Sequence, residues 1–327
     1  MLAAADVVLG STRRLALLPA AVTATRVAWP SPMLPALDAL LAEHAGRRVA
    51  VLASGDPMQH GVGATLADRL GAARLRVHPR PSSTQAACAR LGWAVHDVAV
   101  VSTLTQPADA VVAHLAPGRR VAVLVPSAAG VAAVAAVLRD RGWAGSTVVA
   151  LSDLGGPAEQ VAAGTAADPP SAGSDLVVVA VECAADPGTA ALGLAAGLPD
   201  AAYDHDGHSP SATCAPPRSP GWRRHPASLL WDVGAGAGSV GVEWMRAHPS
   251  CRTIAVERDP VRAARVSANA AALGVPRLRV VEGSAPAALA DLPAPDAVFV
   301  GGGATAPGLL DRCWAALRPG AGSWCTP

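Results

Sequence analysis

Short apolar runs alternate with Ala- and Leu-rich stretches along almost the whole chain. In the first part of the chain, β-branched and aliphatic residues form runs of strand length, separated by segments with the composition of helices. The predicted strands are RRVAVLAS (47–54), RLRVHP (74–79), DVAVVS (97–102), RRVAVLV (119–125), STVVALSDL (146–154) and DLVVVAVE (175–182). This alternation is typical of α/β proteins, whose largely parallel sheets are covered by helices on both faces.

The last part of the chain repeats the pattern more cleanly. Its predicted strands are SLLWDVG (228–234), RTIAVE (252–257), RLRVVEG (277–283) and DAVFVGGG (296–303), and a helix is predicted from Pro260 to Leu273. Such a βαβ series predicts a doubly wound sheet. The intervening stretch from Tyr203 to Ser228 is rich in Pro, Ser and Arg and lacks apolar periodicity. We therefore predict a linker there, between domains that span residues 1–202 and 229–327.

Length and composition are consistent with two domains and exclude some classes of protein. The 327 residues are 51% hydrophobic, with a mean hydropathy of +0.32, which suffices for two cores. The formal net charge is +1, the basic residues are all arginines scattered along the chain, and aromatic residues make up 3%. We expect no nucleic-acid partner, because such proteins present basic surfaces and aromatic stacking platforms.

The sequence carries no signal for export or for membrane insertion. Its N-terminus lacks the positively charged segment of a signal peptide. The apolar stretch from Val121 to Leu138 has the length of a short spanning helix, but its Pro-Ser-Ala-Ala-Gly interruption predicts a strand, a turn and a helix instead. The six cysteines have no disulfide or metal-binding spacing, and His205, Asp206 and His208 fit no metal site. We therefore expect a cytoplasmic protein without a bound metal.

A glycine-rich loop carries the strongest chemical signal. The stretch LLWDVGAGAGSVGVEWMR (229–246) places glycines at alternate positions directly after a strand that ends in Asp232. Such a loop brings backbone N–H groups and a carboxylate close to a ligand. Dinucleotide sites use similar loops, but this carboxylate would repel a pyrophosphate, whereas the cationic ammonium and sulfonium groups of S-adenosylmethionine would suit it. The candidate cofactor contacts in this loop are Asp232, Gly234, Ala235, Gly236, Ala237 and Gly238.

Further candidate contacts follow the next strands of the same domain. Glu257 closes RTIAVE, where a carboxylate can accept hydrogen bonds from the ribose hydroxyls. Ser284 and Ala285 follow the third strand, where methyltransferases that bind S-adenosylmethionine on a doubly wound sheet usually contact the adenine. Gly301 and Gly302 close the fourth strand and leave room for a bulky substrate beside the point of methyl transfer.

A second candidate loop lies in the first domain. A predicted strand ends at Ser54 and is followed by a Gly-Asp-Pro turn, which exposes N–H groups and a carboxylate at a cleft. Taken alone, Gly-Asp-Pro is equally typical of a structural turn. Ser82, Ser83 and Thr84 precede QAACARLGW and are expected to cap that helix, and a ligand role is compatible with capping.

These motifs resemble one family over almost the whole chain. The segments LLWDVGAGAGSVGVEWMR, AVERDPVRAARVSANAAALGV, VVEGSAPAAL and PDAVFVGGG look like the second domain of the precorrin-6Y C5,15-methyltransferases (decarboxylating), which fuse two methyltransferase folds. The segments VLASGDPMQHGVGATL, PSSTQAACARLGW, LSDLGGPAEQV and YDHDG occur in the same order in the first domain and junction of that family. The resemblance implies a tetrapyrrole methyltransferase-like domain followed by a Rossmann-like class I methyltransferase domain. It also implies cofactor contacts at Gly55, Asp56 and Pro57.

The resemblance further implies an activity. Enzymes of this family use S-adenosylmethionine to methylate precorrin-6Y at C5 and C15 and remove carbon dioxide from the C12 acetate, which gives precorrin-8 in cobalamin biosynthesis. A polycarboxylate tetrapyrrole is best bound by arginines, and the candidates are Arg246, Arg258 and Arg262. No catalytic residue is assigned, because methyl transfer mainly requires alignment of the reactants. Two alternatives stay open: a methyltransferase acting on RNA or protein, and an inactive cofactor-binding scaffold.

The departures from the family pattern lead us to expect two damaged segments. Compared with the family, the chain begins after the first strand and its glycine turn and stops before the last strands of the second sheet. We therefore expect an incomplete second domain with an exposed sheet edge, which favours association into homo-oligomers. Residues 209–228 have the wrong composition for the helix expected there, and both they and the terminal GSWCTP permit a neighbouring frame that reads as family-like sequence. We hypothesise that both segments are frameshift products, and we expect residues 209–228 to be disordered.

Overall fold

The computed structural model describes residues 2–30, 32–193, 197–207 and 227–318, together with the backbone of 322–325. The chain divides into two compact units, Met1–Ala86 and Ala87–Pro327. Most of the segment 209–228 lies outside the described residues, so its disorder and its shifted reading frame stay hypotheses. The domain boundaries at residues 202 and 229 also stay a prediction.

The first unit is built on a short parallel sheet with the strand order β2-β1-β3. Its strands are β1 (Val7–Gly10), β2 (Thr25–Ala28) and β3 (Val49–Val51), and its helices are α1 (Thr12–Ala16), α2 (Met33–Glu43) and α3 (Val62–Leu70). Strand β1 is buried along its whole length, because it is apolar and is paired with a neighbour on each side. The core of this sheet is therefore its central strand, β1.

The sequence patterns missed two strands of this unit and predicted one strand wrongly. The missed strands β1 and β2 are each four residues long, too short for a periodic pattern to stand out. The segment RLRVHP (74–79) forms no strand, and its side chains are exposed except for the half-buried Leu75. Pro79 cannot donate to a strand partner, which further disfavours pairing there.

Helix α4 (Ser83–Leu91) begins at a capping box. The Ser82 hydroxyl accepts a hydrogen bond from the Gln85 N–H (3.2 Å), and the Gln85 side chain accepts one from the Ser82 N–H (2.7 Å). This reciprocal pair satisfies two N–H groups near the start of the helix, which have no partners within the helix itself. The predicted capping role of this Ser-Ser-Thr run therefore falls to Ser82.

The second unit contains two sheets, and the first of them is mixed. Its order is β4-β5-β8-β6-β7. Strands β4 and β5 are parallel, whereas β8 runs antiparallel to β5 and β6, and β7 runs antiparallel to β6. The prediction of a largely parallel sheet is therefore wrong here, and β7 was missed because it is an edge strand of small, partly exposed residues. The strands are β4 (Val98–Ser102), β5 (Arg120–Leu124), β6 (Thr147–Ser152), β7 (Gln160–Thr165) and β8 (Val177–Glu182).

The apolar stretch from Val121 to Leu138 belongs to this sheet and to the helix that follows it. It forms most of β5, a turn, and helix α5 (Ala129–Asp140), as its interrupted pattern predicted. Val134 and Leu138 are fully buried in the core of the sheet. Every helix in the described part of the chain is too short or too polar to cross a membrane.

The second sheet of this unit is fully parallel and doubly wound, as predicted. Its strand order is β11-β10-β9-β12-β13, so the chain moves from the central β9 to one edge and then crosses to the other side. This reversal opens a crevice at the carboxyl ends of β9 and β12. The elements are β9 (Leu229–Val233), α6 (Ser239–Ala247), β10 (Arg252–Glu257), α7 (Pro260–Ala272), β11 (Arg279–Glu282), β12 (Ala297–Val300), α8 (Leu309–Ala316) and β13 (Gly322–Cys325).

The edge strand β13 corrects one expectation. We interpreted GSWCTP as frame-shifted sequence and assigned it no strand as written. The backbone of Gly322–Cys325 nevertheless pairs in parallel with Ala297–Val300, so this sheet extends one strand beyond β12.

Candidate cofactor and substrate site

A pocket of about 540 Å³ lies at the carboxyl ends of the parallel strands, in the crevice beside β9. It is lined by residues at the ends of β9, β10, β11 and β12, in the loops that follow these strands, and in the first turns of α6, α7 and α8. They are Val233, Gly234, Ala235, Gly236, Val240, Val256, Glu257, Arg258, Arg262, Gly283, Ser284, Ala285, Phe299, Gly301, Gly302, Gly303, Ala306 and Leu309. Most of the predicted contacts of the second domain therefore meet in one place.

The glycine loop forms one wall of this pocket. Gly234 has a φ of +70°, which side-chain-bearing residues rarely adopt, and a Cβ on it would lie 3.0 Å from both the N and O atoms of Gly302. The first turn after β9 thus passes directly against the loop after β12. Gly234, Ala235 and Gly236 line the pocket, whereas Ala237 and Gly238 do not.

Glu257 lies at the end of β10, next to the glycine loop. One of its carboxylate oxygens, Oε2, accepts a hydrogen bond from the Gly236 N–H (2.9 Å), and the other, Oε1, accepts one from the Asp259 N–H (3.1 Å). The side chain lines the pocket although the residue is only 5% exposed. A carboxylate can accept about four hydrogen bonds, so each oxygen of Glu257 retains capacity for a hydroxyl donor.

Asp232 is placed beneath the loop rather than in the pocket lining. It is 1% exposed, and its Oδ2 accepts a hydrogen bond from the Gly241 N–H (3.0 Å) in the first turn of α6. Its Oδ1 has no hydrogen-bond partner among the described residues. Burial, with a smaller contribution from the nearby Glu257 charge, raises the pKa of Asp232 to about 7. Asp232 therefore holds the start of α6 under the loop.

The opposite side of the pocket comes from the third and fourth strands. Ser284 and Ala285 line it after β11, as do Gly301 and Gly302 after β12. Phe299, the single phenylalanine of the chain, adds an aromatic surface that no sequence motif had indicated. A Cβ on Gly301 would lie 3.0 Å from the Phe299 ring, so the ring packs directly against this glycine.

The three candidate arginines occupy different environments. Arg258 and Arg262 line the pocket, and Arg258 is exposed. Arg246 is buried on α6 and is absent from the pocket lining. Its guanidinium donates hydrogen bonds to the backbone oxygens of Leu273, Leu192 and Gly193, and burial lowers its pKa. The structure thus places Arg246 as a link between chain segments.

The segment Tyr203–Gly207, which we call the junction segment, was predicted to be linker but lies against α6 and α7. The Tyr203 hydroxyl donates to Glu243 (3.4 Å), and the Asp204 backbone exchanges two hydrogen bonds with the Asn269 side chain (both 2.9 Å). Asn269 also donates to the backbone oxygen of Ala237 in the glycine loop (2.9 Å). The signal that could have located these contacts is the YDHDG motif itself.

The acidic side chains of the junction segment pair with arginines of α7. Asp206 accepts a hydrogen bond from Arg262 Nε (2.8 Å), and it also lies near Arg265 Nη1 (3.3 Å). Among the residues that the structure describes, no three His, Cys, Asp or Glu side chains are grouped to hold a metal ion. His208 lies outside the described residues.

The Gly-Asp-Pro loop of the first unit forms a tight turn. Gly55 has a φ of +57°, and a Cβ on it would lie 2.8 Å from the Cα of Ser82. Asp56 Oδ1 accepts a hydrogen bond from the Met58 N–H (2.8 Å), and the Pro57 carbonyl accepts one from the Gly63 N–H (2.9 Å). The loop therefore packs closely against the start of α4 and α3. Gly55 permits that approach because it has no side chain.

The doubly wound sheet, the glycine loop and the acidic end of β10 together define an S-adenosylmethionine-dependent methyltransferase of the Rossmann-like class. Family models match both parts of the chain: "Tetrapyrrole (Corrin/Porphyrin) Methylases" over residues 1–170 and "Precorrin methyltransferase domain" over residues 220–323. The chain belongs to the family of precorrin-6Y C5,15-methyltransferases (decarboxylating). Both folds expected from the sequence, and the cofactor class, are thereby confirmed.

Curated relatives that match nearly the whole of this chain carry this family name. The precorrin-6Y C(5,15)-methyltransferase (decarboxylating) of a Sinorhizobium species is 42% identical, over 98% of this chain and 78% of the relative. The protein of that name from Mycobacterium tuberculosis is 40% identical, over 97% of this chain and 79% of the relative. Among solved structures, the C-terminal domain of precorrin-6Y C5,15-methyltransferase from Rhodobacter capsulatus is 40% identical, with a TM-score of 0.38, over 41% of this chain and 72% of that chain.

Proposed function

We propose that this protein methylates precorrin-6Y at C5 and C15 and removes the carboxyl group of the C12 acetate, to give precorrin-8 in cobalamin biosynthesis. The observation that carries the proposal is the pocket beside β9, in which Glu257 meets the glycine loop. The similarity to relatives named for this reaction supports it over almost the full chain. No observation favours RNA or protein as the substrate.

The residues of the pocket fit the methyl donor. The close approach of Gly234 to Gly302 leaves no room for a side chain there, so backbone forms that wall and can contact a ligand directly. We propose that Gly234, Ala235 and Gly236 contact the amino-acid end, that Glu257 accepts hydrogen bonds from the ribose, and that Ser284 and Ala285 flank the adenine. Asp232, Ala237 and Gly238 would act by holding the loop.

A second donor site is proposed in the first unit. Gly55, Asp56 and Pro57 form its candidate loop, and Gly55 is held in a backbone conformation that favours glycine. The side chain of Asp56 accepts a hydrogen bond from its own loop, which stiffens the turn and fixes the direction of the neighbouring N–H groups. Two donor sites would match a substrate that receives two methyl groups.

The substrate carries several carboxylates, which arginine binds in bidentate fashion. We propose Arg258 and Arg262 as carboxylate ligands, because both line the pocket. Arg258 is exposed at the pocket wall, so its guanidinium is accessible to a ligand. Gly301 and Gly302 would leave space for the macrocycle on the same side.

The main task of this chain in methyl transfer is to align the methyl donor with the acceptor carbon. When bound, the donor supplies a methyl group that is displaced in line from a sulfonium, and the protein must hold the acceptor carbon on that line, roughly 3–3.5 Å away. In the decarboxylation, the C–C bond to the carboxyl group breaks and carbon dioxide leaves. The electron pair enters the conjugated macrocycle, and a proton then completes the new methyl group. Phe299 and the apolar pocket wall would exclude water during these steps.

The test uses the full chain, precorrin-6Y and S-adenosylmethionine labelled in its methyl group. We expect two labelled methyl groups per product and one carbon dioxide released. Labelling of RNA or protein in the absence of precorrin-6Y would favour another methyltransferase. Binding of the donor without any transfer would favour an inactive scaffold.

We also propose a cytoplasmic, homo-oligomeric protein without a nucleic-acid partner. The thiols of Cys88 and Cys183 are buried and free of disulfides, which supports a reducing compartment. Light scattering of the purified chain tests the oligomeric state. A monomer at all working concentrations would contradict that part of the proposal.

A further inference from the structure

The junction segment touches the second methyltransferase fold at points that lead to its pocket. Through Asn269, the Asp204 backbone is linked to the carbonyl of Ala237 in the glycine loop. Through its side chain, Asp206 reaches Arg262, which lines the pocket itself. A segment outside the sheet thus supports two parts of the site.

The contact between Asp206 and Arg262 is specific in its atoms. Arg262 donates from Nε to Asp206 Oδ2 at 2.8 Å, and both side chains are about one third exposed (36% and 34%). At such exposure the pair adds little stability, because solvent screens it. Its direct effect is on geometry, since a hydrogen bond to Nε fixes the plane of the guanidinium.

The two Nη groups of Arg262 can donate hydrogen bonds to a ligand. Its side-chain hydrogen bond to Asp206 uses Nε and not the two Nη groups, and the residue is half-buried at the pocket wall. A guanidinium held at Nε presents its Nη donors in a fixed direction, which suits a carboxylate.

We propose that Asp206 is a positioning residue, which orients Arg262 to bind a carboxylate of the tetrapyrrole. The inference rests on the proposed function and deepens it. It gives the YDHDG motif a role in substrate recognition, and it predicts that the segment joining the two methyltransferase folds forms part of the second site.

Asp204 supplies a matched control on the same segment. Its carboxylate lies 3.4 Å from Arg265 Nε, its side chain is 75% exposed, and its contact with Asn269 uses only backbone atoms. Asp204→Asn and Asp206→Asn therefore remove the same charge, two residues apart and beside the same Arg265. Of the two, Asp206→Asn is the variant that weakens the charge-assisted hydrogen bond of Arg262 Nε.

The experiment compares the full-length wild type with Asp206→Asn, Asp206→Glu and Asp204→Asn. We expect Asp206→Asn to raise the KM for precorrin-6Y about three- to tenfold, in line with the loss of one charge-assisted contact, with little change in kcat. The Kd for S-adenosylmethionine, measured by calorimetry, should stay at the wild-type value. Asp206→Glu should restore much of the lost affinity, and Asp204→Asn should behave like the wild type.

An independent readout does not require turnover. In crystal structures of the variants, the Arg262 guanidinium should move in Asp206→Asn and keep its place in Asp204→Asn. An unmoved Arg262, equal effects of the two Asn variants, or an effect on donor affinity alone would overturn the inference. An inactive wild type whose Arg262 shifts as expected would instead count against the proposed function.

Discussion

Glu257 and Glu282 are paired in register at the carboxyl ends of β10 and β11, yet the first is buried beside the glycine loop and the second is exposed. Glu257 holds the Gly236 N–H and lines the pocket, whereas Glu282 does not line it. The same side chain at equivalent positions of adjacent strands thus has two different environments. This pair provides a direct test of the donor site.

Glu257→Ala should weaken binding of S-adenosylmethionine to the second site by roughly 1–3 kcal/mol, because it removes charge-assisted hydrogen bonds to the ribose. The measurement is calorimetric titration of the full chain. Glu282→Ala serves as the control and should leave the affinity unchanged. Equal affinities for the two variants would contradict the assignment of Glu257.

Gly55→Val should abolish binding of the donor at the first site and leave the second site intact. The new Cβ would meet the Ser82 backbone at 2.8 Å, and the φ of +57° is unfavourable for valine. Gly46→Val is the control, because Gly46 also has a positive φ (+79°) but open space around it. Calorimetry should give one binding site for Gly55→Val and two for Gly46→Val, and loss of both sites in Gly55→Val would argue against autonomous sites.

Asp232→Asn should change the pH dependence of stability. The folded pKa of about 7 lies above the ordinary value of 3.8, so between these values the native state holds a proton that the unfolded chain releases. The stability contributed by this group is present below about pH 4 and is lost as the pH rises through 7. Between these pH values, the free energy of unfolding of the Asn variant should therefore rise relative to that of the wild type, by on the order of 3–4 kcal/mol.

Urea unfolding at pH 4.5 and at pH 8 measures this difference. Asp291→Asn, at an exposed position, reports the effect of removing a carboxyl group elsewhere in the same fold. Parallel pH profiles for the wild type and Asp232→Asn would be inconsistent with a buried, protonated Asp232.

Arg246→Lys should destabilise the protein by about 1.5–3 kcal/mol, because an ammonium cannot reproduce the fork that reaches Leu273, Leu192 and Gly193. At temperatures where the variant is folded, its KM for precorrin-6Y should match that of the wild type. Arg252→Lys, at an exposed site, is the control for stability. A raised KM at unchanged stability would instead make Arg246 a substrate ligand.

Much of the second methyltransferase fold could be predicted, because its strands are apolar and its loops carry strong local signals. Strands β9, β10, β11 and β12 coincide with four predicted apolar runs, each of which leads to a Gly or Glu that lines the pocket. Gly234 and Glu257 could be assigned from position alone, since the carboxyl ends of parallel strands share one edge of the sheet.

Other features depend on tertiary contacts that no local pattern encodes. Arg246 follows an apolar helix face and looks like a surface charge, and only the fold brings three carbonyl oxygens around it. The pairing of Asp206 with Arg262 joins residues 56 positions apart. Strands β1 and β2 are short, and their identity comes from pairing rather than from composition.

The anchoring of Tyr203 gives the molecule an optical reporter of its own. Tyr203 is the single tyrosine of the chain, and burial, with the nearby Glu243 charge, raises its pKa. Ionisation of a phenol changes its ultraviolet absorption, and the indole rings of the tryptophans do not ionise in the same range. The alkaline absorbance change of the unlabelled protein therefore comes from one phenol at one place. This absorbance change would therefore report the release of the junction segment from α6 directly, in real time and without a dye.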